Sequence, residues 1–192
     1  MKLSEYISFL SRNICVLCIA IMVPAVSLAG TQQKQPFTRL VEVADTIVVG
    51  ECVEVESQWR KNKIYTSATI EISESIKGNA PSIIRIEYLG GTALHPKLNA
   101  PVSMKVSNGA SFTEGEQNVL FLKDSAKGYY QLMGKSQGKI AIDTDEETGR
   151  KYIHSGVKKI HADISENNTS IIAADRMELP DFLSYIRSIL QQ

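Results

Sequence analysis

The chain has 192 residues, which is enough for one domain and hardly for two. Hydrophobic residues make up 43% and charged residues 22%, a composition typical of globular proteins that excludes an intrinsically disordered chain. The formal net charge is zero, which excludes a bulk attraction to nucleic acid or to an anionic membrane.

The N-terminal segment has the pattern of a cleavable secretory signal. Lys2 and Arg12 form a basic start, residues 14–23 are a short apolar run, and Ser27-Leu28-Ala29 is a small-x-small ending that suits signal peptidase. The apolar run is about half of the roughly 20 residues that a bilayer requires, so we expect cleavage after Ala29 rather than a membrane anchor. No later segment is apolar and long enough to predict a membrane span in the mature chain.

Removal of this signal leaves one cysteine. Cys15 and Cys18 lie within the signal, so Cys52 has no partner for an intramolecular disulfide. Small extracellular animal domains usually depend on disulfides, and their absence favours a protein of the bacterial periplasm or the secreted fraction. We expect Cys52 to be an ordinary strand residue, with a reactive thiol or an intermolecular disulfide as the alternative.

Two alternating segments predict a β-hairpin near the start of the mature chain. Residues 46–59 have the two-residue period of a strand, and residues 64–76 have it again after a polar turn. If Trp59 pairs with Ile64, the apolar residues of the two strands meet on one face, and Val53 belongs to that face.

Further strands follow, separated by turns that contain glycine or proline. Gly50 in the first strand is a candidate bulge, where the facing of the side chains changes. Residues 92–101 contain two prolines and no periodicity, and they are predicted to be a loop. The later predicted strands are 82–89, 102–106, 119–122, 129–133, 139–143 and 151–153.

The C-terminus changes to helical spacing, with Pro180 suited to the first turn of an amphipathic helix. Six or seven strands and one helix indicate a mainly β fold, a small closed or partly closed β-barrel with a short C-terminal α-helix. The predicted segments are the signal peptide 1–29, a mature N-terminal segment 30–39, the barrel domain 40–153, an irregular polar segment 154–177 and the helix 178–192.

Several short motifs in the barrel segment resemble a family of exported bacterial proteins of unassigned function. They are ADTIVVGECVEVESQW, IYTSATIEISESIKG, IEYLGG, FTEGEQNVLFL and QGKIAID, within residues 40–153. More distantly, the first strand, the hairpin and the Lys77-Gly78 turn resemble the netrin-like module of tissue inhibitors of metalloproteinases. This resemblance implies an OB-like barrel with a five-stranded core. Those inhibitors bind the protease zinc through an N-terminal cysteine, and the predicted mature start at Gly30 has none.

Few residues are candidates for chemistry. His154 and His161, with Asp163, are candidate metal ligands, but their separation has no fixed ligand geometry. Asp143 and Asp145 lie in an acidic turn that offers oxygen ligands for calcium without the spacing of an EF-hand. We expect surface histidines and a solvated turn instead, and hence no catalytic residue, no bound metal and no cofactor.

The outward face of the first hairpin is acidic, which argues against nucleic acid as a partner. Glu54, Glu56 and Glu71 would repel phosphate groups there. The sequence therefore predicts an exported, non-enzymatic β-barrel that binds a protein or a cell-envelope component. The alternatives are a metalloprotease-inhibitor-like role through a surface without cysteine, a metal-binding enzyme that uses His154 and His161, and a structural role in the envelope.

Overall fold

The computed structural model describes residues 36–125, 128–153 and 176–192, and a long β-hairpin organises them. The turn of this hairpin consists of Lys61 and Asn62, whose φ angles of 47° and 64° suit the tight two-residue connection that matches strand twist. Its strands are β1 (Thr46–Arg60) and β2 (Lys63–Lys77). The other elements are α1 (Phe37–Val43), β3 (Ile83–Leu89), β4 (Gly91–Leu94), β5 (Pro101–Met104), β6 (Gln117–Asp124), β7 (Tyr130–Leu132), a 3₁₀ turn (Lys135–Gly138), β8 (Lys139–Thr144), β9 (Lys151–Ile153), β10 (Met177–Glu178) and α2 (Leu179–Leu190).

Five of these strands close into a barrel. Antiparallel pairs join β1 to β2 and β2 to β3, and β3 lies parallel to β7 where Ile86 pairs with Tyr130. β7 then pairs with β6, which returns to the first half of β1. This is the small OB-like barrel with a short C-terminal helix that the sequence predicts. The sheet continues beyond the barrel, where β8 pairs with β6 and is followed by β9 and β10.

The first half of β1 and most of β6 are buried on both faces. Val48 and Leu120 belong to the cluster that fills the barrel, whereas Ile47, Val49 and Phe121 belong to a second cluster on the outside of the wall. Burial on both faces explains why the two strands contain continuous apolar runs instead of alternation. One sheet therefore supports two hydrophobic cores.

The two helices cover the outer cluster. Phe182 and Ile186 of α2 are fully buried against it, and Pro180 lies in the first turn of the helix as predicted. Phe37 of α1 contacts Phe121 and Phe182, with ring centroids 5.6 and 5.5 Å apart. Among the described residues, no helix has the length and apolar character needed to cross a bilayer.

Two predictions of local structure are wrong, and the first concerns the direction in which Val53 faces. Val53 does not face inward: it is an extra residue on β1 between the pairs Cys52–Ile70 and Glu54–Thr69, and it is 44% exposed. The register also shifts at Gly50, as predicted, but there the extra residue, Ser73, lies on β2. The facing of β1 therefore changes at Val53.

The second wrong prediction is the loop at residues 92–101. This segment contains β4 and the start of β5, which form a separate two-stranded sheet. Prolines do not prevent this because Pro101 stands at the first position of its strand. The pairing of Trp59 with Ile64 is confirmed, as are the strands after residue 115.

The sequence reading also missed α1. The apolar residues Phe37, Leu40, Val41 and Ala44 have the spacing of one helical face, so the signal was present in the sequence. Lys77 closes the C-terminal end of this helix, since its Nζ donates to the carbonyl oxygens of Val41 and Glu42. The signal segment with its cleavage position after Ala29, and the polar segment up to residue 175, lie outside the described residues.

Candidate functional site

A pair of hydroxyl groups forms the floor of the candidate site. Ser57 on β1 and Thr66 on β2 are cross-strand partners on the inner face of the hairpin, and their oxygens are 2.7 Å apart. Thr66 Oγ1 donates its proton to the carbonyl oxygen of Gly90 at 2.5 Å. Ser57 must then donate to Thr66, because each hydroxyl has a single proton.

Two glycines bring the β4–β5 hairpin over this floor. Gly90 and Gly91 have φ angles of 111° and 123°, which side chains of L-residues rarely adopt. A Cβ atom at Gly91 would lie 2.1 Å from Thr66 Oγ1 and 2.6 Å from Ser57 Oγ. The backbone therefore approaches the hydroxyl pair as closely as it does only because position 91 has no side chain.

A groove of about 590 Å³ lies between the floor, the β4–β5 hairpin and the segment 105–112. Tyr88 stands at its edge, where its hydroxyl accepts a hydrogen bond from the backbone N–H of Phe112 at 3.4 Å. Burial raises the pKa of Tyr88, so its hydroxyl stays protonated and also remains a donor. The lining combines hydroxyls, backbone, apolar side chains and one lysine: Val55, Ser57, Thr66, Tyr88, Leu89, Gly90, Gly91, Thr92, Ser103, Met104, Lys105, Val106, Gly109, Ala110, Ser111 and Phe112.

Lys139 holds the far wall of the groove in place. Its Nζ is 2.7 Å from a carboxylate oxygen of Glu116, donates to the carbonyl oxygen of Ser111, and lies 4.7 Å from the ring centroid of Phe112. On the other side of the turn, the Glu114 carboxylate accepts a hydrogen bond from the backbone N–H of Val55. These contacts tie residues 111–116 to the barrel and define the width of the groove.

Cys52 lies in the barrel interior, outside the groove lining. It is fully buried, and its Sγ is 3.7 Å from the carbonyl oxygen of Glu54. Burial raises the pKa of the thiol, which lowers the fraction of reactive thiolate at neutral pH. This position agrees with an ordinary strand residue and gives no access for an intermolecular disulfide.

The acidic-turn candidates lie far along the chain from the groove lining, in the β8–β9 connection. Asp143 is opposite Tyr152, and the Oδ1 of Asp145 accepts from the backbone N–H groups of Glu147 and Thr148 and from the Thr148 hydroxyl. These bonds lower the pKa of Asp145 and show that its carboxylate organises the turn.

The predicted metal ligands are not brought together by the described part of the chain. His154 and His161, with Asp163, lie outside it. Within residues 36–125, 128–153 and 176–192, no group of three histidine, cysteine or acidic side chains has a geometry that could hold a metal ion. His95 lies at the tip of the β4–β5 hairpin, where its ring packs edge-on against Trp59 with centroids 4.8 Å apart.

The sequence reading missed the groove residues, although part of the signal was available. Pairing Trp59 with Ile64 places Ser57 opposite Thr66, so two hydroxyls among apolar inward neighbours could have been noticed. The contribution of Gly91 and of residues 105–112 had no such signal, because it depends on how the second hairpin folds back. A scan of the chain against protein-family models gives no match, and a search of the curated proteins gives none either.

Proposed function

We propose that the protein is an exported, non-enzymatic β-barrel that binds a protein partner of the cell envelope or the secreted fraction. The observation that supports this proposal is the groove beside the Ser57–Thr66 hydroxyl pair. Among the described residues, its lining offers hydroxyls, backbone groups, apolar surface and one cation, Lys105, and it contains no histidine, carboxylate or cysteine. The Ser57–Thr66 hydroxyl pair therefore has no histidine or carboxylate in the lining that could serve as its general base.

The shape of the groove favours an extended protein segment as the ligand. Backbone forms much of its wall at Gly90, Gly91 and Gly109, so a second backbone can approach closely. Thr92 and Ser103 pair across the β4–β5 sheet at the groove, and both side chains are exposed. Main-chain hydrogen bonds would then supply affinity, and the apolar pockets beside Met104 and Phe112 would supply specificity.

The proposed location rests on the sequence. The signal pattern ending at Ala29 and the single cysteine of the mature chain favour the bacterial periplasm or the secreted fraction. The resemblance to exported bacterial proteins and the OB-like barrel it implies are consistent with the same proposal. A binding role also needs no cofactor.

Affinity capture with a blocked groove tests the proposal. Ser103→Trp places a large ring in the groove from an exposed position, whereas Gln131→Trp places the same ring on exposed β7, outside the groove lining. We expect the wild type and Gln131→Trp to retain the same envelope or secreted protein, and Ser103→Trp to lose it. Retention by all three proteins, or by none, would reject the groove as the binding site.

A further inference from the structure

Two segments that meet at one end of the barrel contain basic residues and no acidic ones. Residues 57–70 and 88–113 contain no aspartate or glutamate, although the whole chain has a net charge of zero. The cations in these two segments are Arg60, Lys61, Lys63, Lys97 and Lys105. These two segments therefore carry a net positive charge, and the charge distribution along the chain is asymmetric.

Most of these cations are available to a partner. Arg60 pairs with Glu87 and stacks over the Tyr65 ring, with its Cζ 4.1 Å from the ring centroid. Lys61, Lys63 and Lys97 are exposed and make no ion pair within the described part of the chain. Their charge is not neutralised by neighbouring carboxylates there.

Two exposed leucines lie at the same end. Leu94 is 60% exposed and Leu98 is 67% exposed, and both belong to the β4–β5 hairpin. Leu98 is in the loop at the tip of this hairpin, next to Lys97. Large aliphatic side chains that are exposed contribute hydrophobic stabilisation only when a partner covers them.

His95 joins the β4–β5 tip to the β1–β2 turn. Its Nδ1 accepts hydrogen bonds from the backbone N–H groups of Lys97 and Leu98, both at 3.2 Å, which fixes the loop. Its ring packs against Trp59, the residue before Arg60. The lysines of the first turn and the leucines of the second hairpin are thus parts of one surface, which we name the basic tip: Arg60, Lys61, Lys63, Leu94, Lys97 and Leu98.

We propose that the basic tip docks on an anionic phospholipid membrane. The leucines would enter the boundary between headgroups and acyl chains, and the lysines would lie among the lipid phosphates. Each basic side chain near an anionic surface adds to the affinity, and the apolar contact adds to it independently. This attachment is peripheral, and the basic tip does not include the groove residue Ser103.

The combination of charge and exposed aliphatic surface at the tip favours a membrane over an acidic protein. Leu94 and Leu98 are largely exposed, and Lys97 beside them is exposed as well. A bilayer accepts such aliphatic side chains without a preformed site, whereas a folded protein would need a matching pocket for each leucine.

Vesicle flotation tests the proposal with protein purified from cells that express the full chain. The probes are vesicles of phosphatidylcholine alone and of phosphatidylcholine mixed with phosphatidylglycerol. We expect the wild type to float with the mixed vesicles only. The double variant Lys61→Glu with Lys97→Glu should weaken this binding by about tenfold or more, since four units of charge change at the tip. Leu94→Ser with Leu98→Ser should weaken flotation as well, although it keeps every charge.

The matched control is Lys123→Glu with Lys151→Glu, which makes the same charge change at exposed lysines elsewhere and should bind like the wild type. No flotation of the wild type, equal binding to both vesicle types, or full binding by the tip lysine variant would overturn the proposal. Loss with the lysine variant but not with the leucine variant would also overturn it, because the leucines would then make no contact with the bilayer. Ser103→Trp, which blocks the groove, should float like the wild type. The membrane proposal and the groove proposal can therefore fail independently of each other.

Discussion

Asp145 shows how a candidate metal ligand has a structural role instead. Its Oδ1 accepts three hydrogen bonds from Glu147 and Thr148 of the β8–β9 turn, and Arg176 lies 4.0 Å from its other oxygen. The backbone N–H of Thr148 contributes most to lowering the pKa of this carboxyl, followed by the Thr148 hydroxyl. Each of these donors favours the ionised form.

A lowered pKa makes the contribution of Asp145 to stability depend on pH. The contribution is fully present above the unfolded pKa of about 3.9 and is lost as the pH falls through the lower folded pKa. We expect Asp145→Asn to be less stable than the wild type at neutral pH, and the difference to shrink in acid as the wild type loses its charge. Urea unfolding at a series of pH values measures this difference.

Glu146→Gln is the control, because it removes a neighbouring exposed charge by an equally conservative change. Its effect on the free energy of unfolding should be small at every pH. A wild-type advantage over Asp145→Asn that stays constant from neutral pH to below pH 3 would contradict the role assigned to the carboxylate.

At the scale of elements, the β4–β5 hairpin decides whether the groove exists. It forms its own two-stranded sheet and meets the main hairpin where Gly91 approaches the Ser57–Thr66 pair. The two hairpins can make contact there because Ser57 and Thr66 have small side chains and Gly91 has none. The same hairpin carries Leu94 and Leu98 of the basic tip, so its placement determines both proposed surfaces.

Gly91→Ala should displace this hairpin. The substitution combines an unfavourable φ with a clash against two polar oxygens, and we expect it to cost about 3 kcal/mol or more in the free energy of unfolding. Gly115→Ala is the matched control: its φ of 81° is also unfavourable, but a new Cβ would meet nothing within 4 Å. That change should cost about 1–2 kcal/mol. Equal costs in urea unfolding would show that close approach at Gly91 does not matter.

For the whole molecule, the important feature is that two hydrophobic clusters share the strands β1 and β6. Val48 and Leu120 face the barrel interior, while their neighbours Val49 and Phe121 face the helices. Loss of the helices would therefore expose the wall of the barrel itself. This arrangement should make the molecule unfold as one unit, since β1 and β6 cannot separate without damage to both clusters.

Phe182→Ala tests this cooperativity. Phe182 is fully buried in the outer cluster, and its truncation should cost about 3–5 kcal/mol. The fluorescence of Trp59, which lies outside that cluster and is the one tryptophan in the sequence, should shift to lower urea together with far-UV circular dichroism. Ser184→Ala on the exposed side of α2 should change the unfolding free energy by less than about 0.5 kcal/mol. A fluorescence transition that stays at its wild-type midpoint would indicate two independent units.

The sequence was informative wherever structure depends on local periodicity. Alternation predicts β1 and β2, the Trp59–Ile64 pairing determines their register, and helical spacing with Pro180 predicts α2. The same local rule failed at Val53, because a single extra residue reverses the facing without changing the composition of the strand. It also failed for β4, because the nearby prolines indicate a loop and the pairing of β4 with β5 has no local signal.

Tertiary structure alone decided how these elements meet. The parallel pairing of β3 with β7 closes the barrel through residues as distant in sequence as Ile86 and Tyr130, and no local pattern specifies such a contact. Likewise, the sequence by itself determined that 57–70 and 88–113 lack acidic residues, but only the packing of His95 on Trp59 joins them into one basic surface. Composition is a property of segments, whereas a binding surface is a property of the distances between them.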